Sequence, residues 1–333
     1  MATWFAQTTG NINAANQWNS NPGGGGTVLT WPPASGDVLV ANGKIVTINV
    51  NTNLGAAGEI RNDTTGGATS GGYFQYAPGV SLTANVMSGN TASWCLLSAV
   101  SGFLVGMVTG GIGKSGVQVQ NSSGTFAITG EVYGGSGTSG YGVNSLVSGS
   151  GVLTVTGNVT GGSGSICYGL NHESTGTVNI TGNSTGANAG GSNRGVHNNA
   201  AGTINIIGNS ISGAVNFGAR NNSTGTLSIS GFAQASSGAA GADNIAQGIL
   251  QVGETRSASN GRGAVTGAFR FASATAAKDM PYTPDGQISM TVLDVAAIVP
   301  AESDVRKGLI YGDGAYTGTL PLGRNRTSMA GRF

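Results

Sequence analysis

Charge is the scarcest property of this 333-residue chain: Asp, Glu, Lys and Arg together make up 8%, and they nearly cancel to a formal net charge of +1. A near-neutral chain has no electrostatic footprint for nucleic acid or for an acidic membrane surface, so neither is expected as a partner. Cysteine is almost missing too. Cys95 and Cys167 share no motif spacing, so neither a disulfide framework nor a zinc site is implied. No apolar run approaches the length of a membrane span. The opening residues, MATWFAQTTGN, lack the basic and apolar regions of a secretory signal, which points to folding in a cytosol. Aspartate is absent between Thr64 and Ala242, where the charged residues are Lys114, Glu131, Glu173, Arg194 and Arg220. Calcium-binding solenoid repeats of the GGxGxD kind need repeated aspartates and are excluded.

What the chain has instead is glycine, 61 of them, with a 38% apolar fraction that recurs in register. The copies align on Gly130, Gly157, Gly182, Gly208 and Gly231, at intervals of about 25 residues, a solenoid period. Two positions before each anchor stand Ile128, Val155, Ile180, Ile206 and Ile229, and four before stand Phe126, Leu153, Val178, Ile204 and Leu227. Small or polar residues separate them. This period of two predicts a strand with one face inward. Asn158, Asn183 and Asn209 follow the glycines and are placed to bond from coil to coil. A third strand is expected from Val143, Leu170, Val196 and Ala219. GKIVTINVN at 43–51 and SLTANV at 81–86 extend the pattern upstream. The fold class is therefore all-β, a parallel β-helix (solenoid) in which each coil buries its core only by stacking.

The ends differ from the middle. Residues 1–36 carry Trp4, Phe5, Trp18 and Trp31 and read as an aromatic cap or a docking arm; 37–275 are the solenoid; 276–333 form a small C-terminal module for trimerisation or docking, where charge becomes frequent again. Within it, 300–308 has helix signals and 309–320 those of a hairpin around Gly312-Asp313-Gly314. Arg324, Arg326 and Arg332 in the tail are docking candidates: contact with nucleic acid is weighed, but no aromatics interleave them, and contact with an acidic neighbouring subunit accounts for them at least as well.

Chemistry has few footholds. GGIGKSG at 110–116 lacks the first glycine of a phosphate loop, whose place Val108 takes, and no helix-forming segment follows. Glycan cleavage needs paired carboxylates. Asp63, Glu131 and Glu173 are available, but Glu131 sits at the asparagine-ladder position and Glu173 in another strand, so solvated side chains are expected. His172 and His197 stand one position out of register in neighbouring coils; a metal site or a Ser–His pair is weighed, and surface histidines in a polar ladder are expected. The column Tyr141, Tyr168, Arg194, Phe217 reads as an aromatic and cation–π stack, with a carbohydrate-binding strip as the alternative. No catalytic residue, metal or cofactor is expected.

The Gly/Asn/Thr-rich coils resemble the β-helical structural proteins of tailed bacteriophages, and VPAESDVRKGLIYGDGAYTGTL at 299–320 is similar to a C-terminal motif of phage virion proteins. The coil resemblance covers much of 37–275; bacterial adhesins share that grammar, but the missing export signal disfavours them. The resemblance implies a non-enzymatic, homotrimeric virion component assembled in the host cytoplasm. A capsid decoration or cement protein bound to the major capsid protein or other virion proteins is the first expectation. A receptor-binding tail fibre or tailspike, glycan-cleaving in one version, is the alternative.

Overall fold

Leu153, Val178, Ile204 and Leu227 lie one above another, each in register with the next across parallel strands, and all four are fully buried. Val155, Ile180, Ile206 and Ile229 do the same two residues along. The period of two in the sequence is thus the pleat of a strand with one face in the core. The structure, a computed structural model, describes residues 1–62, 72–87, 96–98, 101–188, 191–213, 216–236, 241–245 and 248–256, with strand segments at 265–269, 291–292, 310–311 and 316–317.

Each coil carries three strands. A long strand such as Val152–Thr156 is followed, past a bend at Gly157, by a short one, Val159–Thr160; a glycine-rich loop then leads to a third strand, Leu170–His172. Long and short strands build one sheet and third strands the other. The pairings through the coils are parallel, and no helix occurs among the described residues. The fold is the parallel β-helix expected from the repeat. Val143, Leu170, Val196 and Ala219 are the buried inward residues that open their third strands, and the upstream strands appear at Ile45–Ile48, Val80–Thr83 and Asn85–Met87.

Glycine is required at the bends. Gly130, Gly157, Gly182 and Gly208 have φ between 145° and 150°, and a Cβ on Gly157 would collide with the Gly130 carbonyl. Side chains are excluded there both by backbone conformation and by the coil below. The glycine-rich loops stack as closely: a Cβ on Gly162 would fall onto the Gly135 carbonyl oxygen, and one on Gly135 onto that of Gly111.

Residues 1–36 belong to the same stack. Thr3–Ala6 runs parallel to Val38–Val40 on one side and antiparallel to Trp18–Asn19 on the other. Trp18 stacks on Phe74 with ring centroids 6.3 Å apart, and its indole N–H donates to the Ile12 carbonyl at 2.6 Å. At the other end, Ile310–Tyr311 pairs antiparallel with Tyr316–Thr317, consistent with the expected hairpin. Thr291–Val292, also within 276–333, pairs parallel with Ala268–Phe269; the helix expected at 300–308 lies outside the described residues.

Candidate functional site

Alternation along the third strands points Gln118, Asn144, Asn171, His197, Arg220 and Asp243 away from the core, in register from coil to coil. Outward residues of a solenoid are normally wet. Here Gln118, Asn144, Asn171, His197 and Asp243 are buried. The neighbouring column of Tyr141, Tyr168, Arg194 and Phe217 packs beside them. Tyr141 and Tyr168 stack at 5.2 Å, and His197 meets Tyr168 edge-on at 5.1 Å. The Arg194 guanidinium lies 5.0 Å from the Tyr168 ring centroid, and its Nη1 donates to the Tyr168 hydroxyl at 2.7 Å. Arg220 covers Phe217 at 5.5 Å and pairs with Asp243 at 3.1 Å.

This geometry matches a packing stack. A sugar platform needs an open ring face, and Tyr168 and Arg194 are each 7% exposed. Burial, then the charges of Arg194 and Arg220, depress the His197 pKa to about 3, so the ring is neutral. Asn171 donates its Nδ2 to Asn144 Oδ1 at 3.1 Å and to Glu173 Oε1 at 2.8 Å. That leaves Asn171 Oδ1 to accept from His197 Nδ1, 3.2 Å away, which assigns the proton to Nδ1. Burial raises the Tyr141 pKa.

His172 departs from expectation. It pairs with Asn198, one position beyond His197, and so points inward. Both histidines are buried, at 0% and 9% exposure, rather than on the surface, and they lie on opposite faces of the third-strand sheet, so they form no metal pair. A Ser–His contact does form: Ser145 Oγ is 3.1 Å from His172 Nδ1, and His172 Nε2 is 3.3 Å from the Gly176 carbonyl. Since Nε2–H must donate to that carbonyl, Nδ1 accepts from the hydroxyl. Ser145 and His172 are both 0% exposed, so no substrate reaches them. Burial lowers the His172 pKa. The pair belongs to an inner column in which side chains close the following turn: Asn198 on Gly202 O, Asn221 on Gly225 O and Asn244 on Gly248 O, at 3.4, 3.0 and 3.0 Å.

The carboxylates stay apart. Glu131 sits at a bend and accepts from Asn158 Nδ2 at 3.2 Å. Above it the ladder continues: Asn158 Oδ1 accepts the Asn183 N–H at 2.8 Å, and Asn209 Oδ1 accepts the Phe232 N–H at 3.0 Å. Glu173, exposed, lies just past a third strand. Asp63 lies outside the described residues. In GGIGKSG, the Lys114 N–H bonds Gly111 O at 3.1 Å and its carbonyl accepts from Gly135 N at 3.0 Å; the strand Val117–Val119 follows. The segment is a corner.

Of the docking candidates, Trp18 is corrected by its burial at 2% exposure: a core residue has no surface to offer. Trp4, Phe5 and Trp31 are half-buried. The Trp4 indole donates to Asp37 Oδ2 at 3.0 Å, and the Ala2 and Ala34 amides donate to the same carboxylate at 2.8 and 3.1 Å. Burial alone would raise the Asp37 pKa; these bonds outweigh it and hold the pKa down. Arg324, Arg326 and Arg332 lie outside the described residues. Sequence reasoning missed the Asp37 pin and two inward serines, Ser184 and Ser210, which donate to Gly195 O and Gly218 O at 2.8 and 2.6 Å. Their signal was present: both replace the valine of earlier coils.

An open depression of about 380 Å³ lies on the loop side, lined by Gly134, Ser136, Gly161, Gly162, Ser163 and Asn188. Among the described residues no group of three or more His, Cys, Asp or Glu side chains gathers. No family model matches the chain, and neither a curated protein nor a solved structure matches it.

Proposed function

We propose that the chain is a non-enzymatic structural protein of a phage particle, a homotrimeric capsid decoration or cement protein. The observation that carries the structural part is where the polar side chains go. The bend asparagines, the inner Ser–His–Asn column and the tyrosine–arginine strip all bond within the rod, coil to coil. Such a rod resists bending and presents its terminal segments at a fixed separation. The phage part rests on the resemblance at 299–320, with the half-buried Trp4, Phe5 and Trp31 as the anchor on the particle; large aromatics bury much area at low entropy cost.

The test is the copy number on purified particles, together with rebinding of two truncations, one lacking 1–36 and one lacking 276–333, to particles stripped of this protein. A decoration protein occurs in numbers comparable to the shell subunit; a handful of copies would make it a tail fibre or spike, and none would remove the phage reading. Since residues 1–36 contribute strands to the stack, the first truncation is accompanied by Trp4→Ala and Trp31→Ala variants of the full chain.

A further inference from the structure

The two outer faces of the rod are finished differently. On the third-strand side the outward column is buried under its own tyrosines and arginines. On the long-strand side the outward residues Thr125, Ala127 and Thr129, Thr177, Asn179 and Thr181, and Thr203, Asn205 and Ile207 are not buried by any of the described residues and are half-buried or exposed. From Gly102 to Gln234 the outward positions of the long and short strands carry no charged side chain. Glu131, at a bend, is the exception, and its carboxylate is engaged by Asn158. The same surface holds large apolar side chains in water: Phe103 at 42%, Tyr133 at 37% and Ile207 at 66% exposure, with Ile249 at 39% on the last long strand.

We infer that this long- and short-strand face is a contact surface for a second copy of this chain. A charge-free face meets its own copy without like-charge repulsion, and it offers no complement to a charged partner. Its extent is sufficient. Nine residues across, as from Thr125 to Tyr133, span about 30 Å at a strand rise of about 3.3 Å. The six long strands from Phe103 to Leu227 span about 24 Å along the stack at a strand spacing of about 4.8 Å. The product, roughly 700 Å² measured along the bent face, is on the scale of the ~800 Å² that each partner gives to a stable interface. Rigid backing adds to this, because in-register strands bonded to both neighbours lose little freedom on contact. The inference deepens the proposed function by naming the surface through which the trimer forms.

The experiment is the solution mass of the full chain, by light scattering over a dilution series, for wild type, for Thr156→Arg/Ile207→Lys on the face, and for Thr138→Arg/Ser163→Arg on the loops. All four positions are exposed. Wild type and the loop variant are expected to have a multiple of the single-chain mass, and the face variant the single-chain mass with an unchanged β-sheet spectrum. Hydroxyl-radical labelling of wild type reads the same surface without substitution: Phe103 and Tyr133 should be protected relative to Met1, which is 88% exposed in the single chain. A wild type of single-chain mass, a face variant that stays assembled, or full labelling of Phe103 and Tyr133 in an assembled wild type would each overturn the inference. A single chain retained instead by a neutral polysaccharide matrix would assign the face to a glycan. Copy number on particles tests the decoration reading separately, so either can fail alone.

Discussion

Asn183 and Asn209 are bonded twice: the Asn209 N–H and its side-chain Nδ2 both donate to Asn183 Oδ1, each at 3.0 Å. One side-chain oxygen thus satisfies a bend in the next coil. Asn183→Ala should cost about 1–2 kcal/mol by leaving those donors unmatched. Asn183→Asp, which keeps the acceptor, should cost less. Urea midpoints of the two variants against wild type check both the size and the order.

Ile180 is 1% exposed and lies between Val155 and Ile206. Ile180→Val should destabilise by about 1 kcal/mol. Ile180→Asp should abolish folding, because an unpaired charge would stand inside the stack. Soluble yield and circular dichroism distinguish the outcomes; a normally stable Asp variant would mean the strand register is wrong.

Gly162 and Gly23 differ in what lies beneath them. A Cβ on Gly162 meets backbone of the coil below, whereas at Gly23 the nearest atom is the Asn21 side chain at 3.7 Å. Gly162→Ala should cost about 2–3 kcal/mol, since backbone must move to relieve the overlap, and Gly23→Ala should stay within about 0.5 kcal/mol. Thermal melts of the pair are sufficient.

His197 makes stability fall with acid. Its folded pKa of about 3 lies below the ordinary 6.5, so between those values the unfolded chain takes a proton that the folded chain refuses. Stability contributed by the neutral ring is complete above about pH 6.5 and declines towards pH 3, with a limiting slope of about 1.4 kcal/mol per pH unit. His197→Gln should flatten the slope measured by denaturation at several pH values. A remainder should persist, because burial also lowers the pKa of His172.

The strand columns were legible because burial and pleat leave the same mark on every coil: Leu153, Val178 and Ile204 could be read as inward from their spacing alone. The bend ladder was legible for the same reason, down to Glu131 standing in an asparagine's place. The burial of His197 was not. Its strand position says outward, and only the packing of Tyr168 and Arg194 beside it removes it from water. His172 misled in the opposite way, since a polar residue at an inward position reads as surface until its partners, Ser145 and the Gly176 carbonyl, are known. Trp18 belongs to the first strands, where no repeat provides a register to count from.

The shared frame of Gly130, Gly157, Gly182 and Gly208 makes rod length a quantity that recombination can adjust. Excising residues 158–182 would join Gly157 to Asn183. It would set Asn183 on Glu131, Val196 on Val143 and Ile204 on Leu153, each like the pairing it replaces, and Ser184 on Val132 as it now sits on Val159. The product would be shorter by one coil, about 4.8 Å, with its ends unchanged. Duplicating the same stretch would lengthen it by the same step. Such a chain works as a ruler graduated in single coils, so the distance between its two ends can be reset in evolution without redesigning either one.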